Sequence, residues 1–116
     1  PAAVIGVTAN TVEDVEAVKA LDIDYIGIGP YRFTETKKNL APTLGIEGIG
    51  SICGNMHERE INIATVAVGG ILPEDVAPLM ESGVNGIAVS GAIAFAPDIK
   101  AATEEFLRLL EPYEKK

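Results

Sequence analysis

Four short apolar runs, each continuous rather than alternating, set the strongest limit on what this chain can become. They are Val4-Ile5-Gly6-Val7, Tyr25-Ile26-Gly27-Ile28, Ile63-Ala64-Thr65-Val66-Ala67-Val68 and Gly86-Ile87-Ala88-Val89. An unbroken run of this length is the pattern of a parallel strand covered on both faces, whereas a strand with one wet face alternates. Parallel neighbours are joined only through a crossover, normally a helix, and helical spacing follows every run. Thr11 with Asp14, or Asn10 with Glu13, offers a cap ahead of Val12, Val15 and Val18. Gly45 to His57 sets Ile46, Ile49, Ile52 or Cys53, and Met56 on one face, although Gly48, Gly50 and Gly54 weaken the helix. Pro73-Glu74-Asp75 suits a first helical turn, where proline costs nothing and acids meet the free N–H groups; that helix ends near Ser82-Gly83. Gly91 to Ala96 reads as a short helical turn and Asp98 to Pro112 as a closing helix.

The order is therefore β-α-β-α-β-α-β-α. Leu21 to Ile28 and Glu81 to Val89 share one local phrase, a helix end, a tight turn and the next buried strand. Such units repeat with right-handed crossovers. They can close in two ways. One is a small self-contained open α/β domain, although a flavodoxin-like sheet would need a fifth strand or an unusual order. The other is a parallel (β/α)4 half of a TIM-type (β/α)8 barrel, whose complete form takes about 250 residues. A bare half-barrel leaves two open sheet edges and an uncovered interior face, so it calls for its missing half or a second copy.

Composition narrows the partners. The 116 residues are the size of one domain, and 47% of them are apolar, enough for a core. A net charge of −8 repels a nucleic-acid backbone, and no basic stripe offsets it. No apolar stretch approaches the ~20 residues of a membrane-spanning helix. The start of the chain shows no basic flank of a secretory signal, and its single cysteine, Cys53, excludes an internal disulfide, so a cytoplasmic setting is expected.

The candidate chemistry sits after the strands. Tyr31 to Thr43 is polar and long for a connection that commonly takes about 2–6 residues. Within it Thr34, Thr36, Lys37 and Lys38 bring hydroxyl donors and ammonium groups together, a set suited to phosphate oxygens or equally to a solvated loop. Arg32 can take an anion bidentately or pair with an acid such as Glu35. Gly69-Gly70 follows the third run and Ser90-Gly91 the fourth; each can offer bare backbone N–H groups to an anion or simply make a turn. In barrels the loops after the last two strands frequently form a phosphate site. Thr8, placed just past the first run, can donate to a ligand or help start a helix. His57 reads as a solvated helix-end residue, Cys53 as buried packing, and Tyr25 and Phe106 as core. Glu13, Asp14, Glu74 and Asp75 are explained by capping.

These pieces, in order, resemble the thiamine-phosphate synthase family. The resemblance is carried by Ile5-Gly6-Val7-Thr8, Asp24 to Pro30, Thr34-Glu35-Thr36-Lys37-Lys38, Val68-Gly69-Gly70-Ile71 and Gly86 to Ile93, and it covers nearly the whole chain. It implies the carboxyl-terminal half of a (β/α)8 barrel that joins an aminopyrimidine diphosphate to a thiazole phosphate, releasing diphosphate with Mg²⁺ assisting. By position it assigns Thr34, Thr36 and Lys37 to the substrate loop, with Lys37 stabilising the departing diphosphate. Gly70, Ser90 and Gly91 would hold the thiazole phosphate, and Thr8 would stand where family members carry a pyrimidine-contacting serine. Gly91 replaces a common serine. The resemblance places the basic residues for the pyrimidine diphosphate and the Mg²⁺ aspartates in the other half, so this piece alone is expected to be inactive. Thiazole tautomerases share the fold but carry a histidine after this first strand, where the chain has Ala9-Asn10. A non-catalytic phosphate-binding module is the remaining alternative.

Overall fold

The computed structural model describes residues 4–32, 43–89 and 91–113. Four parallel strands form one sheet: β1 (Gly6–Ala9), β2 (Tyr25–Ile28), β3 (Ala64–Val68) and β4 (Gly86–Ala88). Their spatial order is their chain order, β1-β2-β3-β4. That order separates the two closures. A doubly wound sheet starts in its middle and reverses, placing helices on both faces, whereas strands added one after another with one-handed crossovers put every helix on the same face. The sheet is therefore one layer of a barrel wall.

The helices are α1 (Val12–Val18), α2 (Gly45–Glu58), α3 (Val76–Glu81), α4 (Gly91–Ala94) and α5 (Ile99–Leu110), with single 3-10 turns at Pro73–Asp75 and Glu111–Tyr113. Of the two caps offered before α1, the chain uses Thr11. Its hydroxyl accepts from Asp14 N–H at 3.0 Å, and Asp14 returns the bond to Thr11 N–H at 3.2 Å. Asp98 caps α5 by accepting from Ala101 N–H.

The residues of the helix-facing side, Ile26, Ile28 and Ala67, are buried beneath Val15, Ile49, Ile52, Met56, Val76, Leu79 and Phe106. The other side is small and largely open. Gly6, Thr8, Tyr25, Ala64 and Ala88 are all exposed there, and the register sets Gly6 beside Tyr25 beside Ala64. Continuous apolar runs thus lead to one covered face and one bare face in this chain.

Two expectations are corrected here. The first strand runs from Gly6 to Ala9, two residues later than Val4–Val7, because Ile5 is held at the strand's start by Asp24: Ile5 N–H donates to the Asp24 carboxylate, and Ile5 C=O accepts from Asp24 N–H. Thr8 consequently lies within the strand and does not start α1. Tyr25 is not core: it stands on the bare face, 37% exposed, with its ring across Gly6 where a Cβ would collide.

Candidate functional site

Parallel strands bring all their carboxyl ends to one end of the sheet, and the loops that leave them meet there. The β2 and β3 exits are joined first. Tyr31 N–H donates to Val68 C=O at 2.8 Å and Arg32 N–H to Gly69 C=O at 3.0 Å, extending the β2–β3 pairing past both strand ends. The approach is too close for side chains. A Cβ on Gly29 would strike the Val68 carbonyl, and one on Gly69 would stand 2.8 Å from Pro30 Cα. Gly69 and Gly70 both have positive φ, 104° and 64°, which glycine adopts without the Cβ penalty. The long connection is closed at its base, since Leu44 N–H donates to Pro30 C=O and Gly45 N–H to Tyr31 C=O.

A buried carboxylate organises this junction. Asp75 is 5% exposed and receives four donors: Arg32 Nη1 at 2.9 Å, Arg32 Nη2 at 3.1 Å, the Tyr31 hydroxyl at 3.0 Å and Leu72 N–H at 2.8 Å. Arg32 Nη1 also donates to Gly70 C=O, and its guanidinium lies 5.0 Å from the Tyr31 ring centre. Burial alone would raise the Asp75 pKa, but Arg32, Leu72 N–H and Tyr31 outweigh it and hold the carboxyl below its ordinary value. Burial and then Asp75 push Tyr31 up, and Asp75 pushes Arg32 up. Arg32 is therefore paired with Asp75, and the alternative partner Glu35 lies outside the described residues. Sequence reading gave Asp75 its capping role, which Leu72 confirms, and missed the ion pair across 43 residues.

The predicted site residues fall into two groups. Thr8, Gly70 and Gly91 are described. Thr8 is exposed on the bare face, its hydroxyl oxygen on the same side as Gly27; Gly70 follows β3, and Gly91 opens α4 after β4. Thr34, Thr36, Lys37 and Ser90 lie outside the described residues. At the far end of the sheet, His57 is exposed in the last turn of α2, and burial raises the pKa of Cys53. A cavity of about 470 Å³ opens there beside Cys53, His57, Thr65 and Asn85, remote from the glycine-bearing loops. Among the described residues no group of three or more His, Cys, Asp or Glu is placed to hold a metal ion. No described helix is long and apolar enough to cross a membrane.

A model of the family described as thiamine monophosphate synthase matches residues 1–93. The chain is 56% identical over 106 residues to a thiamine-phosphate synthase of Bacteroides fragilis, covering 91% of this chain and 52% of that protein. The chain belongs to the thiamine monophosphate synthase family. A Bacteroides thetaiotaomicron thiamine-phosphate synthase is 51% identical over the same share of the chain and 51% of its own length. Among solved structures, a thiamine phosphate pyrophosphorylase from Pyrococcus furiosus superposes with a TM-score of 0.79 at 30% identity, covering 96% of the chain and 50% of that protein. A structure titled "Native KDPGal" superposes at 0.73 with 16% identity and shares the fold alone. The chain spans about half the length of the thiamine monophosphate synthase relatives it matches.

Proposed function

We propose that this chain is the carboxyl-terminal half-barrel, residues 1–116, of a thiamine-phosphate synthase. In the intact barrel it serves transfer of an aminopyrimidine from its diphosphate to a thiazole phosphate, yielding thiamine phosphate and diphosphate. The observation that carries the reading is the 56% identity across 91% of the chain. The geometry agrees with it: two positive-φ glycines and the entry of the long polar loop are pinned together at the carboxyl end of the sheet.

Gly70, Ser90 and Gly91 offer backbone N–H groups to the thiazole phosphate, where main-chain donors bind an anion without a compensating cation. Thr34, Thr36 and Lys37 bind the diphosphate side of the reaction, and Lys37 neutralises charge as diphosphate departs. Thr8 contacts the pyrimidine from the sheet face. No proton-transfer residue is demanded, because the step needs a stabilised leaving group and an aligned nucleophile more than a base. Mg²⁺ would supply further charge neutralisation on the diphosphate. The described residues do not furnish a ligand set for it, and the one buried acid near the loops is occupied by Arg32. The missing barrel half, or a second copy covering the open edges, completes the molecule, and a cytoplasmic setting follows from the same assignment.

The test combines the chain with the amino-terminal half of a relative's barrel and follows thiamine phosphate formation. The chain alone should show no turnover above background, the combined halves should, and Lys37→Ala should abolish what is gained. Full turnover by the chain alone would overturn the half-barrel reading, and an active Lys37→Ala variant would remove Lys37 from the chemistry.

A further inference from the structure

We propose that the Arg32–Asp75 ion pair is a positioning device that aims the backbone N–H groups of Gly70 and Ile71 at a bound phosphate. The proposal rests on the phosphate-site reading above and adds two side chains that do not themselves touch the ligand. It follows from the planarity of the peptide group. In a trans peptide the N–H points opposite to the C=O that shares its plane. Arg32 N–H holds Gly69 C=O at 3.0 Å, so the N–H of Gly70 points away from Arg32. The Arg32 guanidinium holds Gly70 C=O, so the N–H of Ile71 also points away. Two successive donors are thereby turned to the side opposite Arg32, the arrangement that makes an anion-binding concavity. Among the described residues none accepts a hydrogen bond from either group.

Asp75 is what keeps Arg32 in place. The arginine side chain is 40% exposed and, without a partner, would gain rotamer freedom in water. Asp75, 8% exposed in its side chain, is fixed from three other directions by Leu72, Tyr31 and its own place in the turn before α3. Its two oxygens take both forks of the guanidinium, a planar match that lysine cannot reproduce. The pair also solves an electrostatic problem. A bare carboxylate beside a phosphate loop, in a chain of net charge −8, would repel the ligand, and Arg32 cancels it locally. Donation from a cation into Gly70 C=O further polarises the adjoining N–H.

The test titrates inorganic phosphate into the chain while following its backbone amide resonances. In the unaltered chain the Gly70 and Ile71 amides should move together. Arg32→Gln and Asp75→Asn should each weaken that response about tenfold, the scale of losing a charge-assisted bond, while the core amides of Ile26 and Leu79 keep their positions. Asp75→Asn retains an acceptor for Leu72 N–H, so the turn before α3 still starts. The double variant should bind no more weakly than the weaker single variant, since each removes the same unit. Arg32→Lys, which keeps the charge and loses the fork, should resemble Arg32→Gln. Phosphate binding unchanged in Arg32→Gln and Asp75→Asn would overturn the positioning role while leaving the phosphate site intact. Affinity fully kept in Arg32→Lys would reduce the effect to simple charge and overturn it too. Absence of any Gly70 and Ile71 response in the unaltered chain would overturn both the phosphate site and the device built on it.

Discussion

The molecule carries an arginine–carboxylate contact near each end of its sheet, and the two differ in almost everything but chemistry. At the carboxyl end, Arg32 meets Asp75 through both forks, with Tyr31 and Leu72 N–H completing the carboxylate's shell. At the other end, Arg59, just past α2, meets Glu16 of α1 at 2.8 Å, and Lys19 meets the same carboxylate at 2.7 Å. Glu16 is 31% exposed in its side chain against 8% for Asp75. An exposed triad is screened by water and salt and spends side-chain entropy, whereas a nearly buried carboxylate must keep its partners or bear the cost of desolvation. The comparison teaches where the fold invests in rigidity. It does so where loops leave the strands and glycines replace side chains, and leaves the helix ends loosely pinned.

Three substitutions bear on that contrast. The largest effect is expected at Gly69. Alanine there must adopt φ near 104° and place its Cβ 2.8 Å from Pro30 Cα, so Gly69→Ala should destabilise the chain by about 3 kcal/mol, summing backbone strain and overpacking. Urea unfolding would measure it, and a loss under about 0.5 kcal/mol would mean that the β2 and β3 exits are not held rigidly together. Asp75→Ala comes next. It removes a cap and orphans Arg32, whose exposure lets water recover part of the loss, so about 2 kcal/mol is expected. The effect should depend on pH. The Asp75 carboxyl is held below its ordinary value in the folded chain, so its contribution is present above the unfolded value near about 4 and disappears as pH falls through the folded one. Unaltered chain and variant should therefore converge in acid.

Much of this architecture is legible in the amino-acid sequence, and the exceptions share a cause. The β-α repeat, the strand cores and the cap at Thr11 are local, set by residues within about a turn of one another. Val4 and Ile5 are apolar yet lie outside β1, because Asp24 of the neighbouring segment decides where pairing begins. Tyr25 looks like core by composition and stands on the open face, since an apolar run does not say which of its faces another element will cover. Arg32 and Asp75 were each conspicuous, one as a cation after a strand and the other as an acid in a first turn. Their pairing needed the β2–β3 register, which sequence spacing does not contain. Gly69-Gly70 was legible as bare backbone following a strand, and its close approach to Pro30 and Tyr31 was not.

The smallest effect sharpens the contrast most. Glu16 accepts from Lys19 and Arg59, which together lower its pKa, and on hydrogen-bond geometry alone it looks as well supported as Asp75. Burial says otherwise. Glu16→Gln keeps the side chain's length and removes only the charge, in a place where solvent already competes for both cations. Its unfolding midpoint should fall within error of the unaltered chain at moderate salt, and any small deficit at low salt should vanish when salt is added. The lowered pKa gives the sign in acid: whatever Glu16 contributes is present above the ordinary glutamate range and lost below it. A salt-resistant loss in Glu16→Gln as large as that in Asp75→Ala would show that donor count, not burial, governs these pairs, and the two ends of the sheet would then be equally fixed.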